Sequence, residues 1–237
     1  MKQLGLLVLL VLSMCGAIHA QWPMHIVLLG DSNTFLGGNE CDKPEGWNKW
    51  FKDMAEPLSC RSYARSGATW THTSKTKYDV KENTGVLSDN NVIYNQINRL
   101  KEAYKTGKQP LPDLIIIMAG TNDLWFADKR PDALSKWILY DGESLRKTFP
   151  QARVVLVTPP PFVKVGMDKQ HQAAEEIEGC AQKLHWGIVR LDQTDQVIRV
   201  SDMIQKGYSK DGVHTTIAGA KVLGQYIYEQ VKSIVRQ

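Results

Sequence analysis

The sequence has few of the features that mark a fibrous, disordered or nucleic-acid-binding protein. Its 237 residues are 43% hydrophobic and 23% charged, close to the averages of soluble globular proteins, which excludes collagen, coiled coils and disordered chains. The 29 basic and 25 acidic side chains are scattered without long runs, whereas nucleic-acid-binding proteins usually concentrate Lys and Arg. No internal repeat or low-complexity segment is present. We therefore expect one domain with a sizeable core and no nucleic-acid partner.

An apolar run at the N-terminus is too short to anchor the chain across a bilayer. Lys2 precedes this run, which covers residues 4–12, a pattern typical of a secretory signal peptide. We expect residues 1–20 to be removed after Ala20, or alternatively after Ala17, leaving a domain over 21–237 that is periplasmic or secreted. Residues 12–15 are also similar to a bacterial lipobox, although Met14 is larger than the residue expected there. A lipid on Cys15 is the one route by which we would expect membrane attachment.

Cysteine is scarce, with four residues in the whole chain. The expected mature domain keeps Cys41, Cys60 and Cys180, and none of them lies in a metal-ligand spacing with His, so no metal site is expected. In an oxidising compartment an odd number allows at most one internal bridge and leaves one thiol over. Cys41 and Cys60 are the nearest pair along the chain. A bridge between them is one expectation, and three separate buried thiols is the other.

Short β-branched runs alternate with longer segments of helical periodicity along the chain. The predicted strands are 25–29, 59–64, 114–118, 153–157 and 187–191, and the predicted helices are 47–56, 92–104, 134–149, 170–184 and 217–235. This alternation predicts a three-layer α/β/α sandwich around a parallel sheet of about five strands. Ligands bind at the carboxyl ends of strands in such sheets. The loops after the strands, including the long polar segment 65–91, are therefore expected to line one site.

Four short motifs lie in these loops. They read GDSNT from residue 30, ARSGA from residue 64, GTND from residue 120 and DGVH from residue 211. Each is weak alone, but together and in this order they resemble the SGNH hydrolases, also called the GDSL esterase/lipase family. The resemblance implies a flavodoxin-like fold and ester hydrolysis without a cofactor. The Gly-x-Ser-x-Gly elbow of the α/β-hydrolases is absent, which disfavours that other serine-hydrolase fold.

Ser32, His214 and Asp211 have the residue types of a nucleophile, its base and an orienting acid. A serine hydroxyl is a poor nucleophile until a base takes its proton, and the base needs a third group to hold its tautomer. Asp211 precedes His214 by three residues across a turn that contains Gly212. This spacing lets the carboxylate reach one ring nitrogen while the other faces Ser32. Without the other motifs, an ordinary turn before a helix would be the better interpretation.

Hydrogen-bond donors must also be positioned where negative charge develops on the former carbonyl oxygen during acyl transfer. The resemblance implies three of them: the backbone N–H of Ser32, the backbone N–H of Gly67 and the side-chain amide of Asn122. Taken singly, Gly67 fits a plain turn glycine and Asn122 fits an Asx-turn. Many family members carry an Asn shortly before this glycine, whereas residues 63–66 here read YARS. The resemblance therefore does not imply a helper hydrogen bond near Gly67.

Asp31 and Asp123 stand next to candidate site residues, and we expect structural roles for both. Their carboxylates are suited to accept backbone N–H bonds and so to fix the two loops.

Aromatic side chains near the motifs suggest the substrate. Trp70, Trp125 and Phe162 fall in or near the site loops, and aromatic faces suit sugar rings, although all three could equally be core anchors. Few aliphatic residues are available there to line a long acyl channel. We therefore expect short-chain, chiefly acetyl, esters on carbohydrate or another small molecule. A lysophospholipase or thioesterase, a short-chain arylesterase, and a glycan-binding module that no longer turns over are the alternatives.

Overall fold

The computed structural model describes residues 24–78, 89–127, 133–193 and 200–236. Its strands are β1 (His25–Gly30), β2 (Ser59–Ser62), β3 (Leu114–Met118), β4 (Arg153–Val157) and β5 (Gly187–Val189). Its helices are α1 (Ser32–Phe35), α2 (Trp47–Ala55), α3 (Ile93–Lys105), α4 (Thr121–Trp125), α5 (Leu134–Thr148), α6 (Met167–Leu184), α7 (Val200–Gln205) and α8 (Ile217–Val235). The predicted signal peptide and Cys15 lie outside the described residues.

The five strands form one parallel sheet in the order β2-β1-β3-β4-β5. The chain starts in the sheet at β1, moves outward to β2 and then returns to the other side of β1 with β3. This reversal of direction creates a crevice between the carboxyl ends of β1 and β3. Gly30 pairs with Met118 at those ends, and Asp31 N donates to Met118 O at 3.2 Å. The loops after β1 and β3 therefore start side by side.

Helices cover both faces of the sheet, which confirms the predicted α/β/α sandwich. Alternate residues of β1 point to opposite faces, as the pleat of a strand requires. Ile26 and Leu28 join a buried cluster with side chains of α2 and α8. Val27 and Leu29 join a second cluster with side chains of α3, α5 and α6. In the ranges described, no helix is long and apolar enough to cross a bilayer.

The differences from the predicted elements lie at the ends of helices and strands and in three short helices. The short helices α1, α4 and α7 were not predicted, because four to six residues are too few to show a helical period. Helix α6 begins at Met167, three residues before the predicted start. Strands β2 and β5 each end two residues before the predicted ends. These changes leave the order of the elements unaltered.

Candidate active site

Ser32 stands at the turn from β1 into α1. Asp31 caps the helix, and its Oδ1 accepts a hydrogen bond from Asn33 N at 3.0 Å. Ser32 is the first helical residue, where a backbone N–H has no partner within the helix and is available to a ligand. The residue is only 6% exposed. The capped turn therefore places a nearly buried hydroxyl at the crevice between β1 and β3.

Gln96, on α3, fixes the end of β1 just before this turn. Its Oε1 accepts a hydrogen bond from Gly30 N, and its Nε2 donates to Gly30 O, both at 2.8 Å. The side chain is buried, so this pair of bonds is shielded from competing water. Sequence analysis did not identify Gln96. The sequence pattern that could have identified Gln96 is a polar residue on the otherwise apolar face of the helix predicted over 92–104.

The structure brings Ser32, His214 and Asp211 into one hydrogen-bonded chain. His214 Nε2 lies 2.9 Å from Ser32 Oγ, and His214 Nδ1 lies 2.6 Å from Asp211 Oδ2. Asp211 Oδ1 also accepts from the backbone N–H groups of Val213 and His214, at 2.9 and 2.7 Å. Burial alone would raise the pKa of Asp211, but these hydrogen bonds lower it below its ordinary value. Asp211 is therefore a carboxylate at neutral pH.

The turn that carries His214 is fixed by a residue that sequence analysis missed. Ser209 Oγ donates to His214 O at 2.6 Å and accepts from Gly212 N at 2.9 Å. Gly212 has a φ of +75°, and a Cβ there would lie 2.2 Å from a methyl group of Val163. Only glycine fits this position without strain. The Asp-Gly-x-His spacing therefore depends on a tightly packed left-handed turn.

Gly67, in the loop after β2, and Asn122, in α4, are brought together. Gly67 has a φ of +72°, a conformation that glycine adopts without strain. Asn122 Nδ2 donates to Ala68 O at 2.9 Å, so one hydrogen of the amide is committed to the loop that contains Gly67. A primary amide carries two hydrogens. The second is available to bind an oxygen atom next to Gly67.

A family model for GDSL-like lipases and acylhydrolases matches residues 28–222, which include all four motifs. The chain belongs to this family. Family membership implies hydrolase activity on esters, and it agrees with the resemblance identified from the motifs. None of the curated proteins matches the chain in sequence.

Solved structures of the same fold include several hydrolases. The psychrotrophic esterase EstA from a Pseudoalteromonas species shares 15% identity, with 90% of this chain and 98% of that chain covered and a TM-score of 0.57. A protein assigned as a GDSL-like lipase in Parabacteroides merdae shares 15%, with coverage of 90% and 97% and a TM-score of 0.59. A protein assigned as an acylhydrolase in Bacteroides fragilis shares 20%, with coverage of 89% and 87% and a TM-score of 0.56. At sequence identities this low, the similarity shows a shared fold alone.

In this GDSL-like chain, Asp123 joins α4, which carries Asn122, to the loop that carries Gly67. Its Oδ2 accepts from Trp70 N at 3.0 Å, and its Oδ1 accepts from Thr71 N and Thr71 Oγ1 at 2.9 and 2.7 Å. Asp123 thus accepts backbone N–H bonds as predicted. Because it is adjacent to Asn122, these bonds also fix the position of the Asn122 backbone.

Asp31 differs from Asp211 in its surroundings and in its affinity for a proton. It is completely buried, and this burial raises its pKa to about 6, although the hydrogen bond from Asn33 N acts in the opposite direction. The cap is as predicted, but its carboxyl holds a proton far more tightly than an exposed Asp. Two carboxyl groups near Ser32 therefore have opposite pKa shifts.

The three aromatic residues predicted to contact substrate have different environments. Trp70 and Phe162 are 1% and 0% exposed, so the prediction of substrate contact is wrong for both. Trp70 Nε1 donates to Ala119 O, and Gln170 binds the backbone of Phe162, because both loops fold back onto the core. Trp125 is 37% exposed at the end of α4, one turn after Asn122. Its contact with substrate stays a prediction.

Proposed function

We propose that this family member is an exported serine esterase that removes acetyl and other short acyl groups from carbohydrate. The observation that carries the proposal is the chain of hydrogen bonds from Ser32 Oγ through His214 to Asp211. A hydroxyl, an imidazole and a carboxylate at 2.9 and 2.6 Å have the geometry required for nucleophilic acyl transfer.

In the proposed reaction Ser32 Oγ attacks the ester carbonyl carbon, and its proton moves to His214 Nε2. Asp211 offsets the positive charge that the ring acquires and holds Nδ1–H toward itself. The negative charge on the carbonyl oxygen is stabilised by the N–H groups of Ser32 and Gly67 and by the free amide hydrogen of Asn122. His214 then gives the proton to the departing alcohol, leaving an acyl group on Ser32. His214 next takes a proton from water, which attacks this acyl group while the same three donors stabilise the oxygen. The proton returns to Ser32 Oγ as the acid is released.

The exposed side chains around the site support a sugar ester over a long acyl chain. Phe35 and Trp125 are 42% and 37% exposed, on the helices that carry Ser32 and Asn122. Lys164 Nζ lies 6.0 Å from the centre of the Trp125 ring, which keeps this rim polar as well as aromatic. An aromatic face beside polar groups suits a sugar ring, whereas a lipid tail needs a continuous apolar channel.

A series of p-nitrophenyl esters from acetyl to palmitoyl, assayed with wild-type protein and with Ser32→Ala, tests the proposal. We expect kcat/KM to fall at least tenfold between two and eight acyl carbons, with no hydrolysis by Ser32→Ala. Release of acetate from an acetylated polysaccharide should exceed release of fatty acid from a lysophospholipid. A preference for long chains would favour the lysophospholipase or thioesterase alternative. Glycan binding by the wild-type protein without hydrolysis would favour a silent binding module.

The proposed export rests on the pattern of residues 1–20 and can be measured separately. The full chain is expressed in a bacterial host and fractionated, and the mass of the mature protein is determined. We expect a soluble periplasmic or secreted product that begins at Gln21. A product in the membrane fraction that becomes soluble in Cys15→Ala would instead establish a lipid anchor.

A further inference from the structure

Two asparagine side chains hold the short segment that contains Gly67. Asn91 Nδ2 donates to Ser66 O at 3.0 Å, and Asn122 Nδ2 donates to Ala68 O at 2.9 Å. Asn91 is only 3% exposed, and its own carbonyl oxygen accepts from Thr69 N at 3.0 Å. Its side chain and its backbone thus both bind the same loop.

The bond to Ser66 O has a consequence for the next residue. Ser66 C=O and Gly67 N–H belong to one planar trans peptide, so they point in opposite directions. A glycine at positive φ leaves this peptide plane easy to rotate. We propose that Asn91 is a positioning residue that holds the Ser66–Gly67 peptide so that the Gly67 N–H points at the developing oxyanion. This inference rests on the proposed function.

Asn91→Ala and the nearly isosteric Asn91→Asp test this role, with Asn95→Ala as the matched control. Asn95 is also buried, and its Nδ2 donates to Lys77 O and Asn90 O, both at 2.9 Å. The control therefore loses two bonds to backbone oxygens between Gly67 and α3 without losing the bond to Ser66 O. All three proteins are compared by kcat, KM and melting temperature with p-nitrophenyl acetate.

We expect both Asn91 variants to lose roughly ten- to a hundredfold in kcat with KM changed less than threefold, because an oxyanion donor acts mainly in the transition state. Asn95→Ala should keep kcat within threefold while its melting temperature falls. Equal kcat losses in Asn91→Asp and Asn95→Ala, or a loss confined to KM, would overturn the positioning role. If Ser32→Ala retains activity, the proposed function itself fails. If Ser32→Ala is inactive and Asn91→Asp keeps its full kcat, this inference alone fails.

A second observation, independent of the catalytic proposal, concerns two thiols. Cys41 Sγ and Cys60 Sγ lie 3.3 Å apart as unbonded thiols, and both residues are buried. Cys41 is in the loop between α1 and α2, while Cys60 is in β2, and the two segments are also joined by Ser62 N donating to Asn39 O at 2.7 Å. The sulfurs need to approach each other by only a little over 1 Å to reach bonding distance, about 2.05 Å.

We propose that Cys41 and Cys60 form a disulfide when the chain folds in an oxidising compartment. Each thiol loses a proton, and the two electrons released reduce the disulfide of a small-molecule or protein oxidant to two thiols. The new bond joins the loop after the Ser32 helix to the strand that leads toward Gly67. It also closes a ring around α2, which restricts the unfolded chain more than the folded one.

Mass spectrometry of the mature chain, residues 21–237, folded with oxidised and reduced glutathione measures this bond directly. After denaturation and alkylation without reduction, we expect one modified thiol, Cys180, and a linked peptide pair containing Cys41 and Cys60. The melting temperature should fall on the order of 10 °C on reduction. Cys180→Ser should keep that response, and Cys41→Ser should lose it. Three alkylated thiols after oxidative folding would overturn the proposal.

Discussion

Replacing Asp211 with Asn changes one atom in the hydrogen-bonded chain and reverses its direction. The carboxylate oxygen Oδ2 lies 2.6 Å from His214 Nδ1, so the ring hydrogen is held on Nδ1 and Nε2 is free to accept the Ser32 proton. An Asn side chain can keep its oxygen at the backbone N–H groups of Val213 and His214. Its NH₂ group then faces Nδ1 and donates to it. The ring hydrogen must move to Nε2, where it blocks proton transfer.

The size of the effect follows from this exchange of tautomers. A ring with its hydrogen on Nε2 cannot act as the base for Ser32, and reversing the tautomer in a serine hydrolase lowers kcat about ten-thousandfold. This corresponds to about 5 kcal/mol of transition-state stabilisation. The fold should be retained, because the two backbone hydrogen bonds to position 211 are kept. KM should change little, because the substrate does not contact the replaced atom in the proposed mechanism.

The wild-type protein and Asp211→Asn are compared by their initial rates with p-nitrophenyl acetate from pH 6 to 9 and by their melting temperatures. Asp53→Asn is the control, since Asp53 is an exposed carboxylate paired with Lys49 on α2. We expect the control to keep its rate within twofold. An Asp211→Asn protein that retains more than a tenth of the wild-type kcat would refute the assignment of Asp211 as the group that orients His214.

Three further predictions concern Ser32, Asn122 and Asp31. Ser32→Ala should lower turnover roughly a millionfold without changing the melting temperature, and a near-wild-type rate in the purified variant would eliminate Ser32 as the nucleophile. Asn122→Ala should lower kcat roughly a hundred- to a thousandfold with a smaller effect on KM; an unchanged kcat with a raised KM would instead assign Asn122 to ground-state binding. Burial raises the pKa of Asp31 from 3.8 to about 6, so the folded protein binds this proton more tightly than the unfolded chain does. The protonated Asp31 side chain therefore contributes fully to the free energy of unfolding below pH 4, and this contribution is lost as pH rises through 6. In urea unfolding, the free energy of unfolding of the wild-type protein should fall by about 3 kcal/mol more between pH 4 and pH 7 than that of Asp31→Asn. The same pH dependence in both proteins would contradict the burial argument.

Wild-type activity has a pH dependence that follows from His214. Only the neutral imidazole accepts the Ser32 proton, so the acetyl reaction should be slower in acid than at neutral pH. A rate that persists unchanged down to about pH 4 would exclude histidine as the base.

The central strands were predictable because their signal is local. The runs at 114–118 and 153–157 are almost entirely apolar and rich in Ile and Val, and they form β3 and β4 with the predicted bounds. The single-turn helices α1 and α4 could not be predicted in the same way, because each is stabilised by its place at the end of a strand. Asp31 caps the first of them, and Asp123 in the second binds the backbone of the neighbouring loop.

The sequence by itself determined the parallel sheet, the family resemblance and the pairing of Asp211 with His214, because these depend on periodicity, motif order and a three-residue spacing. Only the tertiary structure decided that Trp70 and Phe162 are core residues, since the direction of a loop side chain depends on what the loop packs against. It also decided that an amide reaches Ser66 O from Asn91, 25 residues along the chain, although residues 63–66 contain no Asn. Contacts between such distant residues are set by how the loops pack at the edge of the sheet, and no local pattern encodes that packing.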